Sequence, residues 1–277
     1  MHQLISVIIP TYNRAILLSR AIQSVIEQTI PPFEIIVIDD GSSDHTETMI
    51  ATDFPSVIYY KQSQQGVSAG RNKGIQLARS PWLAFLDSDD QWLPNKLAQQ
   101  QQAISQNPSM KLCHSDEIWI RNGQRVNPHQ KHQKKGGWIF QHCLPLCAIS
   151  PSSVVIHQSI FDRVGLFDEN LLACEDYDLW LRITHQFPVL YVDQRLLVKY
   201  GGHEDQLSRK YWGMDRFRIT ALDNLLKNHQ LQADDKIAAR QTLITKLQIY
   251  LAGARKRHKH QEVLHYDQLL KYHTNEQ

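Results

Sequence analysis

No apolar run in this sequence approaches the roughly 18 residues that a membrane-crossing helix needs. Its start, MHQLISVIIPTYN, lacks the basic and long apolar segments of a secretory leader, so a cytoplasmic chain is expected. Cysteine is scarce: Cys113, Cys143, Cys147 and Cys174 fall singly among apolar neighbours, which argues against a disulfide framework. Cys143 and Cys147, with His142 beside them, match no standard zinc spacing, and buried free thiols are expected instead. Charge of one sign is also in short supply. The net charge of +2 is too small to imply a nucleic-acid partner. Neither a GxGxxG turn nor a phosphate loop ending in GK[ST] is present, so two common nucleotide-binding signatures are missing.

What is present is ordinary for a soluble globular protein: 42% hydrophobic and 21% charged residues over 277 positions. That length suits one large domain, or a domain with an appendage. The most informative stretch is Trp82 to Asp90, WLAFLDSDD, an apolar run that ends in three carboxylates. Such a run reads as a strand buried on both faces, as in a parallel sheet. Ligands of open α/β sheets bind outside the carboxyl ends of the strands, which is where Asp87, Asp89 and Asp90 emerge. Crowded carboxylates repel one another, and a hard divalent cation holding phosphate oxygens is one way to relieve that. An acidic turn capping the helix after Pro94 is the plainer alternative.

LISVII (4–9) and EIIVI (34–38) repeat the pattern, the first followed by PTYNR and the second by Asp39, Asp40 and GSSD. A helix is expected from about Ala15 to Gln28 with Ile16, Leu17, Ile22, Val25 and Ile26 on its apolar face, and a fourth strand over 56–60. Asp44 is the expected cap of the helix after GSSD. Gly66, Gly70 and Gly74 recur every four residues and suit close helix packing, with Arg71 and Lys73 free to reach a phosphate or simply solvated. Four strand–helix alternations within a hundred residues predict a parallel α/β sheet. Thr11, Asn13, Asp40 and the 87–90 carboxylates then share one edge.

Beyond a helix from Asn95 to about Ser105 the pattern changes. Residues 111–125 read as a hairpin turning at Asn122 and Gly123, and 127–137 as a polar basic loop without periodicity. A strand is expected from Ser150, and a helix over ACEDYDLWLRITHQF with Tyr177, Trp180, Leu181 and Thr184 on one face. Glu175 and Asp176 lie in its first turn, where the helix dipole favours carboxylates or a rigidly held carboxylate serves as general base. After a strand over 189–200, Gly201 and Gly202 give the backbone freedom to return His203 and Arg209 to the crevice. Residues 214–277 read as helical, with Ile237, Ile244, Leu247 and Leu251 at helical intervals. A basic run, ARKRHKH, offers either a solvated face or contact with an anionic membrane surface.

Taken in order, SVIIPTYNR, IVIDDGSSD, GVSAGRNKG, WLAFLDSDD and CEDYDLWLR resemble the family 2 glycosyltransferases. The resemblance covers roughly residues 4–212. It implies the GT-A fold: a Rossmann-like, mostly parallel central sheet flanked by helices over 1–212, with a helical C-terminal extension over 213–277. It further implies inverting transfer of a sugar from a nucleotide-diphosphate sugar to a hydroxyl of a saccharide, lipid-linked or protein acceptor, usually with Mg²⁺ or Mn²⁺. On the matching positions, Pro10, Thr11, Tyr12 and Arg14 would line the nucleotide site and Asp40 would meet the base. Arg71 would lie near the diphosphate. Asp87, Ser88, Asp89 and Asp90 would form the DXD cluster, with the ion on Asp89 and on Asp90 or His203. Asp176, beside Glu175, would be the base of the ED motif. Two other readings remain: a nucleotidyltransferase, which would want a glycine-rich basic loop where this chain has PTYNRAIL, and a catalytically silent sugar-nucleotide-binding module.

Overall fold

The computed structural model describes residues 4–202 and 211–275. In chain order the elements are β1 (Ile5–Thr11), α1 (Ala15–Ile26), β2 (Glu34–Asp39), α2 (Thr46–Asp53), β3 (Ile58–Lys61), α3 (Val67–Leu77) and β4 (Trp82–Phe85). They continue with β5 (Gln91–Trp92), α4 (Lys96–Gln106), β6 (Leu112–Arg121), β7 (Gln124–Val126), α5 (Phe140–Cys143), β8 (Val155–His157), α6 (Phe161–Val164), α7 (Glu175–Thr184) and β9 (Leu190–Gly201). Three helices complete the described chain: α8 (Asp215–Asn228), α9 (Ala233–Lys256) and α10 (His260–Asn275).

The strands form one sheet in the order β3-β2-β1-β4-β8-β6-β9-β5, with β7 paired to β6. The first four are parallel, as the alternation of strand and helix predicts, whereas β8 runs antiparallel to both β4 and β6. Only a short connection separates β4 from β5, yet they lie far apart in the strand order, so the sheet curls to bring Trp92 back against α1. Side chains alternate between two cores. Val7, Ile9, Ala84 and Leu86 pack with Leu18, Ile22 and Val25 of α1 on one face; Ile8, Leu83 and Phe85 pack with Tyr177, Trp180 and Leu181 of α7 on the other. That two-faced burial is why these strands read as unbroken apolar runs. Residues after 212 join the second core through Ile219, Leu222, Leu243 and Leu247.

Several local expectations change. The buried stripe of α1 is Leu18, Ala21, Ile22 and Val25, spaced three and four apart, which leaves Ile16 88% exposed and Ile26 half-exposed. The strand expected from Ser150 is a 3₁₀ turn over Pro151–Ser153 before β8, because Pro151 has no N–H and Ser153 N–H donates back to the Ser150 carbonyl. In α9, Ile237 faces outward at 68% exposed. The loop over 127–137 is anchored at Lys134, which is buried and donates to the Ala148 carbonyl at 2.9 Å beside Glu117 at 3.2 Å. The basic run at the end of α9 turns partly inward: Arg255 pairs with Asp267, and Lys259 lies over the Trp212 ring. Among the described residues no helix is long and apolar enough to cross a membrane. The glycines of α3 do what their spacing suggests, since a Cβ at Gly74 would overlap Ile8 and one at Gly70 would touch Pro10.

Candidate active site

The carboxyl ends of β1, β2 and β4 open into a cavity of about 640 Å³. Pro10, Thr11, Tyr12, Arg14, Asp40, Arg71 and residues 87–90 line it from the sheet side, and Glu175 and Asp176 from the start of α7. Most of the residues picked out from sequence therefore meet in one place. Asn13 supports the rim instead: its backbone is left-handed at φ 51° and its Oδ1 accepts from Ser43 N–H at 2.7 Å. His203 and Arg209 lie outside the described residues.

On the sheet side, Tyr12 is 41% exposed at the cavity wall, a ring placed to stack on a flat partner. Thr11 Oγ1, Ser68 Oγ and Arg71 Nε are buried with no hydrogen-bond partner among the described residues. Buried polar atoms of this kind are rare unless something else satisfies them. Asp40, buried, has its carboxylate filled by the Gln62 amide and the Gln65 and Gly66 N–H groups at 2.7–2.8 Å. It shapes the loop that starts α3.

The three carboxylates after β4 are held in different ways. Asp87 Oδ1 accepts from Arg71 at 2.7 Å, and Asp89 Oδ2 from Arg14 at 3.0 Å. Asp90 is 1% exposed, and its two oxygens accept from Ser152 Oγ at 2.6 Å and Tyr200 N–H at 3.1 Å. Burial, and then the charge of Asp89, push the Asp90 carboxyl well above its usual range. Asp90 thus ties this loop to Ser152 and to β9, and it lines the cavity beside Asp87 and Asp89. Among the described residues no three His, Cys, Asp or Glu side chains converge to hold a metal unaided. An Mg²⁺ or Mn²⁺ bound by one or two carboxylates completes its shell with phosphate oxygens and water, and Asp87 with Asp89 fits that pattern.

Arg71 does not extend its terminal nitrogens from a solvated helix face, as its place beside Lys73 had suggested. Only 3% exposed, it spends one on Asp87 and the other on Glu175 Oε1, each at 2.7 Å. Burial alone would lower its affinity for a proton, but the two carboxylates more than reverse that and keep it charged. The result is a clamp between the end of β4 and the start of α7. Glu175 is buried behind it, its carboxyl pushed up by burial against the pull of Arg71. Asp176 is less buried and lines the cavity, with Oδ1 accepting from Tyr177 N–H at 2.7 Å and Oδ2 beside Cys147 Sγ at 3.1 Å.

Sequence reading missed several contributors. Arg20 donates to the Asp89 carbonyl at 2.6 Å and stacks on the Tyr200 ring. Ser152 bonds both Asp90 and the Asp87 N–H. Lys199, Met214 and Arg218 line the side around Asp176, the last two from the extension that the resemblance leaves out. No local pattern marks them, because each arrives through long-range pairing.

A curled, mostly parallel sheet with its cavity at the strand ends and helices on both faces is the GT-A-like α/β architecture. The family model described as Glycosyl transferase family 2 matches residues 6–159, more than half of the chain, and the chain belongs to that family. It is 31% identical over 208 residues to an uncharacterized glycosyltransferase of Rickettsia typhi, across 73% of this chain and 65% of that protein. Its share of the length of other rickettsial relatives falls as low as 31%. It is 32% identical to the Escherichia coli UDP-Glc:alpha-D-GlcNAc-diphosphoundecaprenol beta-1,3-glucosyltransferase WfgD, across 65% of this chain and 69% of that one. Among solved structures it resembles S. aureus TarS 1-349 in complex with UDP-GlcNAc, with a TM-score of 0.70 at 18% identity, covering 88% of this chain and 72% of that chain.

Proposed function

We propose that the chain transfers a sugar from a nucleotide-diphosphate sugar to an acceptor hydroxyl, in one displacement that inverts the anomeric carbon. The observation that carries this reading is that Asp176 lines the same cavity as Asp87 and Asp89, with the Arg71 clamp fixing α7 to the end of β4. The nucleotide lies against Tyr12, Thr11 and Ser68, the last two with buried hydroxyls that lack a partner among the described residues. Asp89, with Asp87 beside it, would hold a divalent ion. When bound, that ion supplies electrostatic stabilisation to the charge that develops on the departing diphosphate.

Asp176 takes the proton of the acceptor hydroxyl on the face opposite the leaving group, so no covalent sugar intermediate is needed. Glu175, next to Asp176 and paired with Arg71, holds the start of α7 in place. A saccharide on a lipid diphosphate, the acceptor in the name of WfgD, is the acceptor class to try first. The test is incubation of the purified protein with UDP-glucose and UDP-GlcNAc, Mn²⁺ and saccharide acceptors. The expected result is UDP release matched by a product of inverted configuration at the anomeric carbon by NMR. Donor binding without turnover on any acceptor would favour the silent binding module instead.

A further inference from the structure

The thiol of Cys147 lies 3.1 Å from Asp176 Oδ2 and 3.2 Å from the Ile149 carbonyl. A thiol has one hydrogen and cannot donate to both acceptors at once. While Asp176 is a carboxylate, the charged acceptor is the stronger of the two. Oδ1 is meanwhile occupied by the Tyr177 N–H, so donors on both oxygens fix the plane of the carboxylate. Burial first and the Asp176 charge second push the thiol well above its ordinary value, so it remains S–H through the working range. We propose that Cys147 is a positioning residue for sugar transfer: its S–H holds Asp176 toward the acceptor hydroxyl and turns to the Ile149 carbonyl once Asp176 has taken the proton.

The turn leaves the count of hydrogen bonds unchanged. The acceptor proton ends on the Asp176 carboxyl, no bond to sulfur is made or broken, and the thiol rotates about Cβ–Sγ between two acceptors already in place. A preorganised support that adapts to the protonated base costs little rearrangement at the moment of reaction. The other charged or titratable groups around Asp176 and Cys147 are Glu175 and Cys174 on the same stretch, Lys199 of β9, Arg218 of α8 and Lys134 of the 127–137 loop. None of them is changed by a substitution at Cys147.

The inference rests on Asp176 being the base, so Asp176→Asn is measured in the same assay. If Asp176→Asn retains turnover, the base assignment falls and Cys147 with it. With Asp176→Asn inactive, Cys147→Ala and the similarly sized Cys147→Val should each lower kcat about fivefold to tenfold, with the donor KM unchanged. Their acid limb of kcat against pH should move up by roughly half a unit. Cys147→Ser, which keeps a donor, should restore most of the loss. Wild-type kcat and pH limb in Cys147→Ala, or a fall in Cys147→Ser as deep as in Cys147→Ala, would overturn the positioning role while leaving the base in place. A melting temperature for each variant identifies any that merely lose the fold.

Discussion

The two walls of the cavity are built in opposite ways. The sheet wall comes from the ends of β1, β2 and β4 and the start of α3, all within the first ninety residues and held in parallel register. The facing wall is gathered from Cys147, 171–176, 199–200 and 211–218, segments that meet only through long-range packing. The first wall is a feature of the fold, set by the strand ends of the parallel half of the sheet. The second is assembled piece by piece, and it carries Asp176, the residue proposed above as the base.

The contrast between the walls breaks first at Asp176. Asp176→Asn should lower turnover about a thousandfold while the affinity for UDP measured by calorimetry stays as in the wild type, since only the second wall is touched. Next comes the link between the walls. Arg71→Met leaves buried Glu175 without its cation and should destabilise the protein by about 3–5 kcal/mol in urea unfolding, because an unpaired buried charge is costly. The sheet wall alone is tested by Asp89→Ala, which should raise the Kd for UDP at least about tenfold with Mn²⁺ and much less without it.

Gly74→Ala, which drives a Cβ into Ile8 behind that wall, should cost about 1–3 kcal/mol in the same unfolding experiment. Gly70→Ala makes an ordinary contact with Pro10 at 3.4 Å and should cost clearly less. Acid acts behind the second wall, on buried Glu117, which pairs with Lys134 at 3.2 Å. Burial raises the Glu117 carboxyl, but Lys134 and Lys199 outweigh it and hold it down at about 2 rather than its ordinary 4.5. A carboxyl depressed in the folded state contributes stability above its unfolded value and loses it as pH falls towards the folded one. Urea midpoints should therefore fall between pH 4.5 and 2, and Glu117→Gln should flatten that slope.

The same contrast explains how much the sequence disclosed. The sheet wall was legible because unbroken apolar runs and strand ends are local signals: WLAFLDSDD and EIIVIDD announce both the strand and the acids at its carboxyl end. Asp176 was legible as a carboxylate on a helix start. The pairing of Arg71 was not legible, because its neighbour Lys73 is solvent-facing in pattern and its own partners lie 16 and 104 residues away. Lys199 sits in LLVKYG, where an apolar run marks a strand but not what its end meets. The 3₁₀ turn before β8 hides in a run that reads as extended, and only the Ser153 to Ser150 bond reveals it. Met214 and Arg218 belong to a region whose composition suggests an appendage, although its core is continuous with the sheet.

The bracing of Asp90 bears on when the protein becomes competent during folding. Its oxygens are held by groups 62 and 110 residues downstream, and β9 must slot between β6 and β5 before Tyr200 is in place. Closing loops of that size is the slow part of forming a sheet. A chain still emerging from the ribosome can therefore pair its parallel half early and yet carry an unfinished cavity wall at Asp90 until its last strand arrives.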